Sequence, residues 1–142
     1  NEVKLATAEL HRRPFAALLT DVRGRGHVFD RGFVVYSKDA KCDLLGIARQ
    51  KVDTCGAVSE PIAREMAQGA LRRSQADIAV SITGFAGPGG PDDEEGLGHF
   101  ACARRDGETC HREEHFGKIG RDGVRIVALD VALQMLEQGL CL

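Results

Sequence analysis

Ten residues, Ser81 to Gly90 (SITGFAGPGG), hold four glycines and one proline directly behind an apolar run, Ala76 to Val80. Glycines let backbone N–H groups turn toward an anion and let that anion come close, so such a loop suits a phosphate or an oxyanion. It fits neither nucleotide-loop template: there is no GxxxxGK followed by Ser or Thr, and no Gly-x-Gly-x-x-Gly opening a helix. On glycine content alone a plain structural turn accounts for it equally well.

Other reactive side chains give weaker patterns. His11, His27, His99, His111 and His115 show no HExxH or other zinc-ligand spacing, so no metal and no cofactor is expected. The five cysteines, Cys42, Cys55, Cys102, Cys110 and Cys141, are odd in number, far apart and free of CxxC pairs. That pattern predicts reduced thiols in a cytoplasmic protein rather than a secreted disulfide framework. Pro91 to Glu95 (PDDEE) is a charge run whose simplest reading is a solvated loop tip.

The elements that must position these groups follow from periodicity. Glu2 to Ala8 and Gly32 to Ser37 are short apolar or β-branched runs, predicted as strands. Asp77 to Thr83 is apolar almost throughout, as a strand covered on both faces would be. His99 to Arg104 and Thr109 to Phe116 flank Asp106-Gly107, a hairpin signal, so two antiparallel strands are expected and the sheet is mixed. Ser59 is placed to cap a helix over Glu60 to Arg73, with Pro61 in the first turn and Ile62, Met66 and Ala70 on one face. A last helix starts near Gly120. Its two apolar stripes, one through Val124, Val127, Val131 and Met135 and one through Ile126, Leu129, Leu133 and Leu136, predict burial on most sides.

The 142 residues predict one domain, 1–142, and the start at Asn1 predicts a trimmed N-terminus. Basic and acidic residues number 19 and 21 and are interspersed, for a formal charge of -2. That balance argues against nucleic acid or a membrane surface as partner and favours a small molecule. No apolar run approaches the roughly eighteen residues of a membrane span. A homo-oligomer fits a domain this small with nearly all-apolar helices.

Three separated stretches, RGFVVYSKDAKCDLLG (Arg31 to Gly46), GAVSEPIAREMAQGAL (Gly56 to Leu71) and SITGFAGPGG, together resemble the CinA C-terminal domain, the nicotinamide-mononucleotide amidase family. A fourth, FGKIGRDGVR (Phe116 to Arg125), resembles the family's entry to its last helix. The resemblance runs from Thr7 to Leu136. It implies an α/β fold, a three-layer α/β/α sandwich with a mixed sheet, and hydrolysis of a nicotinamide nucleotide's carboxamide to carboxylate and ammonia.

The family pairs a serine with a lysine, and by position that lysine is Lys41. A lysine serves as base only if burial or a nearby positive charge lowers its pKa toward neutrality. Tyr36, the only tyrosine, is expected at a strand end, where its hydroxyl relays a proton or orients the substrate; a strand-end aromatic with a wet tip is the competing account. The glycine loop, through Thr83, Gly84, Ala86 and Gly87, would grip the nucleotide's phosphate or the oxygen that gains charge during attack. Arg121, at the start of the final helix, would add a bidentate clamp to a phosphate there. Arg125, one turn later, is a weaker candidate.

One departure falls where the resemblance matters most. The family's first strand runs into Thr-Ala-Glu-Ser-Cys-Thr-Gly-Gly, with the nucleophilic serine after the glutamate. Here Thr7, Ala8 and Glu9 are followed by Leu10, His11, Arg12, Arg13 and Pro14. Leucine offers neither proton nor lone pair. Yet the segment reads as a shifted copy of the motif. Written TCC TGC ACC GGC GGC CTG, the family codons lose their first two bases and become CTG CAC CGG CGG CCT, which spells Leu-His-Arg-Arg-Pro. One further lost base restores the frame at Phe15. Three functions are thereby set against each other: an amidase with an altered or misread gene, a silent nucleotide-binding domain, and an interaction module beside a larger domain.

Overall fold

The computed structural model describes residues 4–9, 29–85, 87 and 89–141. Among these, the strands are β1 (Leu5–Glu9), β2 (Phe29–Val34), β3 (Ile78–Gly84), β4 (Leu97–Arg104) and β5 (Thr109–His115). The helices are α1 (Lys38–Leu45), α2 (Arg49–Cys55), α3 (Glu60–Arg72) and α4 (Gly120–Cys141). The sheet order is β2-β1-β3-β4-β5. β1 runs parallel to both β2 and β3, while β3–β4 and β4–β5 are antiparallel.

Alternation along the strands divides the core in two. Ala6, Ala8, Ala79, Ala101 and Ala103 face one side, where they pack with Ile62, Ala63, Met66, Ala67 and Ala70 of α3. Small side chains on the sheet let the helix sit close. A hydrogen bond fixes this contact, the buried Ser81 hydroxyl donating to the Ala63 carbonyl at 2.6 Å. Leu5, Ile78, Val80, Phe100 and Cys102 face the other side, under Ala128, Val131, Ala132 and Met135 of α4. Helices on both faces of a mixed sheet make the expected α/β/α sandwich. No helix among the described residues is long and apolar enough to cross a membrane.

Several expectations need correction. β2 lies at Phe29–Val34, not Gly32 to Ser37, because its register with β1 runs from Leu5↔Phe29 to Glu9↔Val34. Ser37 instead caps α1, its hydroxyl accepting from the Ala40 N–H at 3.0 Å. The helices α1 and α2 are short, with too few turns to show an apolar stripe, and were not anticipated. Ser59 holds the N-cap position of α3, but its hydroxyl donates to the Gly56 carbonyl rather than accepting from the helix. α4 is less enclosed than its two stripes suggested. It packs on β3 and β4, and Ile126 on its outer side is 68% exposed.

Candidate functional site

Strand β1, second from one edge of the sheet, has β2 on one side and the central strand β3, reached through α1, α2 and α3, on the other. Where neighbouring connections diverge in this way, a crevice opens beyond the carboxyl ends of the parallel strands. At that edge the Val35 N–H donates to the Glu9 carbonyl at 2.9 Å. The Val35 carbonyl in turn accepts from Lys41 Nζ at 2.8 Å. Lys41 is fully buried, and heads the largest fully buried side chains among the described residues. Burial pulls its ammonium down to about 8, against a weaker upward pull from Cys42. An amine held in a known orientation, about one-tenth neutral at pH 7 and about half neutral at pH 8, has the properties of a general base. Glu9, also buried, accepts at 3.4 Å from the Thr7 hydroxyl.

The glycine loop leaves β3 on the same edge. Phe85 is tied to the start of β4 by Phe85 N–H to Leu97 O at 2.9 Å and Gly96 N–H to Phe85 O at 2.7 Å. Gly84 is required by this approach, since a Cβ there would lie 2.6 Å from the Leu97 carbonyl oxygen. Gly87 lies against the first turn of α4: a Cβ on it would sit 2.6 Å from Arg121 Nε. The loop and Arg121 are therefore brought together, at a helix N-terminus that favours anions.

The remaining predicted residues divide. Leu10 and Ala86 lie outside the described residues. Tyr36 stands two residues beyond the end of β2 rather than ending it, and is 71% exposed. Thr83 is fully buried, and its hydroxyl proton is committed to the Ala57 carbonyl at 2.8 Å, which joins β3 to the chain entering α3. Only its oxygen lone pairs remain to meet a ligand. Arg125 bonds Asp122 at 3.5 Å through its terminal nitrogen, while its buried Nε has no hydrogen-bond partner. Asp93, in the acidic run, accepts from the Gly90 N–H at 2.8 Å and so closes the loop's far end. No group of metal-ligating side chains gathers among the described residues.

A histidine pair escaped the sequence reading, which tested histidines only for metal spacing. His99 Nδ1 lies 2.9 Å from His111 Nε2, with the rings stacked. Glu60 of α3 reaches His111 at 3.5 Å, and Glu113 reaches His99 at 3.6 Å. Burial, as the largest cause, holds both histidines below the usual imidazole range. His99 stands opposite Thr83 across the β3–β4 ladder, so the pair flanks the same edge. The signal was in the hairpin register: counting back from Asp106-Gly107 puts both histidines on one face.

An α/β/α domain whose buried lysine and glycine-rich loop share the edge at a strand-order reversal is the class that fold and site define. The chain belongs to the CinA C-terminal domain family, whose model matches residues 2–140. An Escherichia coli K12 protein named nicotinamide-nucleotide amidohydrolase PncC is 46% identical over 125 residues, spanning 87% of this chain and 75% of that one. A putative competence-damage inducible protein of Symbiobacterium thermophilum is 49% identical over 134 residues, 88% of this chain but 32% of the longer relative. Among solved structures, the competence/damage inducible protein CihA from Agrobacterium tumefaciens superposes with a TM-score of 0.92 at 43% identity, covering 96% of this chain and 84% of that one.

Proposed function

We propose that this domain hydrolyses the carboxamide of nicotinamide mononucleotide to nicotinate mononucleotide and ammonia, with Lys41 as the base. The observation that carries the proposal is the buried amine of Lys41, oriented by the Val35 carbonyl and lowered to about 8. The amidohydrolase named among the relatives supports the choice of substrate. In this scheme a serine hydroxyl at the position of Leu10 gives its proton to Lys41 Nζ and attacks the carboxamide carbon. The oxygen that gains charge is met by backbone N–H groups of the glycine loop. Collapse expels ammonia, which takes its proton back from Lys41, and water then hydrolyses the resulting ester by the same route. Arg121 holds the nucleotide's phosphate beside Gly87, and Tyr36 orients the substrate at the mouth.

Leu10 supports a second reading, a domain that binds the nucleotide without cleaving it. The frameshift account predicts that the authentic gene encodes Ser-Cys-Thr-Gly-Gly-Leu in place of Leu10 to Pro14. Resequencing the gene and weighing the peptide that contains Phe15 decide it. A verified gene whose codons cannot be shifted back into the serine motif leaves the binding domain as the reading, with calorimetric titration of nicotinamide mononucleotide as its test.

The phosphate contact has its own test. Gly87→Ala forces the Arg121 side chain to move, because the new methyl meets it at 2.6 Å. It should weaken nicotinamide mononucleotide about tenfold or more while leaving the phosphate-free riboside nearly unchanged, as losing a charge-assisted contact requires. Equal losses for both ligands would place Arg121 away from the phosphate.

A further inference from the structure

Cys102 and Cys110 stand directly opposite each other in the β4–β5 ladder. The Asp106-Gly107 turn brings them together. Directly opposed residues of an antiparallel pair point to the same face, with Cα atoms about 4.5–5.5 Å apart. That separation lies inside the roughly 4.4–6.8 Å that a disulfide spans. Both are free thiols. Their surroundings differ. Cys102 is buried beneath α4, where a Cβ on Gly139 would come within 3.3 Å of its Sγ. Cys110 is exposed on the edge strand. Burial pushes the Cys102 thiol up to about 11, and Cys110 pushes it the same way, an influence that requires the two groups to be close.

We propose that Cys102 and Cys110 form a redox-active dithiol, which small disulfides oxidise to a cross-strand bond pinning β5 to β4. The exposed Cys110 thiolate attacks one sulfur of a disulfide RS–SR. The S–S bond breaks, a mixed disulfide forms on Cys110, and RS⁻ leaves to take up a proton. Cys102 then gives its proton to solvent, attacks the Cys110 sulfur and expels the second RS⁻. In balance, one RS–SR is reduced to two RSH while the protein's two thiols become one disulfide. The buried member explains why the pair is a switch rather than a structural bond: the dithiol is packed and stable when reduced, and the exposed member is the handle for both oxidant and reductant.

The test treats the folded chain with oxidised glutathione, quenches free thiols with an alkylating agent and digests with trypsin without reduction. Each cysteine falls in its own tryptic peptide, 74–104 and 106–112. The expected product is these two peptides joined, with separation on adding reductant. Cys102→Ser should stop the reaction at Cys110 carrying glutathione, and Cys110→Ser should leave Cys102 as a free thiol. Glutathione retained on Cys110 in the unsubstituted chain with no joined peptide would overturn the proposal. So would a joined peptide that links either cysteine to a different partner.

Discussion

A fully buried lysine is costly, and Lys41 shows where the cost is placed. Its pKa falls from 10.5 to about 8 chiefly through desolvation, a difference worth about 3 kcal/mol. For a group lowered in the folded state, the stability present above the unfolded value is lost as pH falls through about 8, so at pH 7 the charged amine opposes folding. Lys41→Met keeps the shape, removes the charge and gives up one hydrogen bond of about 1 kcal/mol. The variant should melt higher at pH 7, by about 2 kcal/mol of stability, while losing ~10²-fold or more of any amidase activity. Chemical denaturation at pH 7 checks the first part, and a less stable variant would show that the ammonium is held by more than Val35. In the active chain, kcat/KM should rise about tenfold per pH unit up to pH 8 and then level off, because the base must be neutral.

The histidine pair makes the same kind of demand in a more acidic window. His99 and His111 are both lowered, mainly by burial, so the unfolded chain takes up protons first as pH drops below about 6.5. Stability should therefore fall from pH 7 toward pH 5. The facing charges are Glu60 and Arg64 of α3 and Glu113 and His115 of β5. His115 works the other way, raised by Glu94 and Glu113, but it is exposed and its ion pairs count for little. Thermal melts of His99→Gln should show a flatter pH dependence across this window. An unchanged slope would assign the acid sensitivity elsewhere.

At the scale of elements, the site depends on how closely α1 and α3 approach. A Cβ on Gly69 of α3 would lie 2.4 Å from the Leu45 carbonyl oxygen in the last turn of α1. This is backbone, which cannot swing aside. Gly69→Ala should cost about 1–3 kcal/mol by overpacking and shift α1, which carries Lys41. Denaturant unfolding measures the cost, and a neutral result would mean that the two helices separate freely. The glycine's helical position was visible in the sequence, but the partner that explains it was not. Strands β3, β4 and β5 and helix α3 were legible because each has a clean period or turn signal: the apolar run before Thr83, the Asp106-Gly107 turn, and Ile62, Met66 and Ala70. Helices α1 and α2 were not, being too short for a period to register. The strand β2 was misplaced because GFVVYS is the more apolar stretch, whereas pairing with β1 selects the Phe29 register.

For the molecule as a whole, the glycine loop and Arg121 illustrate what spacing alone conveys. Their types suggested an anion site, but only the fold sets Gly87 against Arg121 across a separation of many residues. Lys41 illustrates the reverse. Lysines are ordinarily surface residues, and family resemblance singled this one out before burial supplied a physical reason. What no fold can supply is a nucleophile at Leu10, so the account's central claim rests on that position. The direct measurement compares ammonia release from nicotinamide mononucleotide by two purified chains: the sequence as it stands, and the same sequence with Leu10 to Pro14 replaced by Ser-Cys-Thr-Gly-Gly-Leu. The account predicts ammonia from the second chain and none from the first. A folded second chain that binds the nucleotide yet releases no ammonia would contradict it, as would equal release by both.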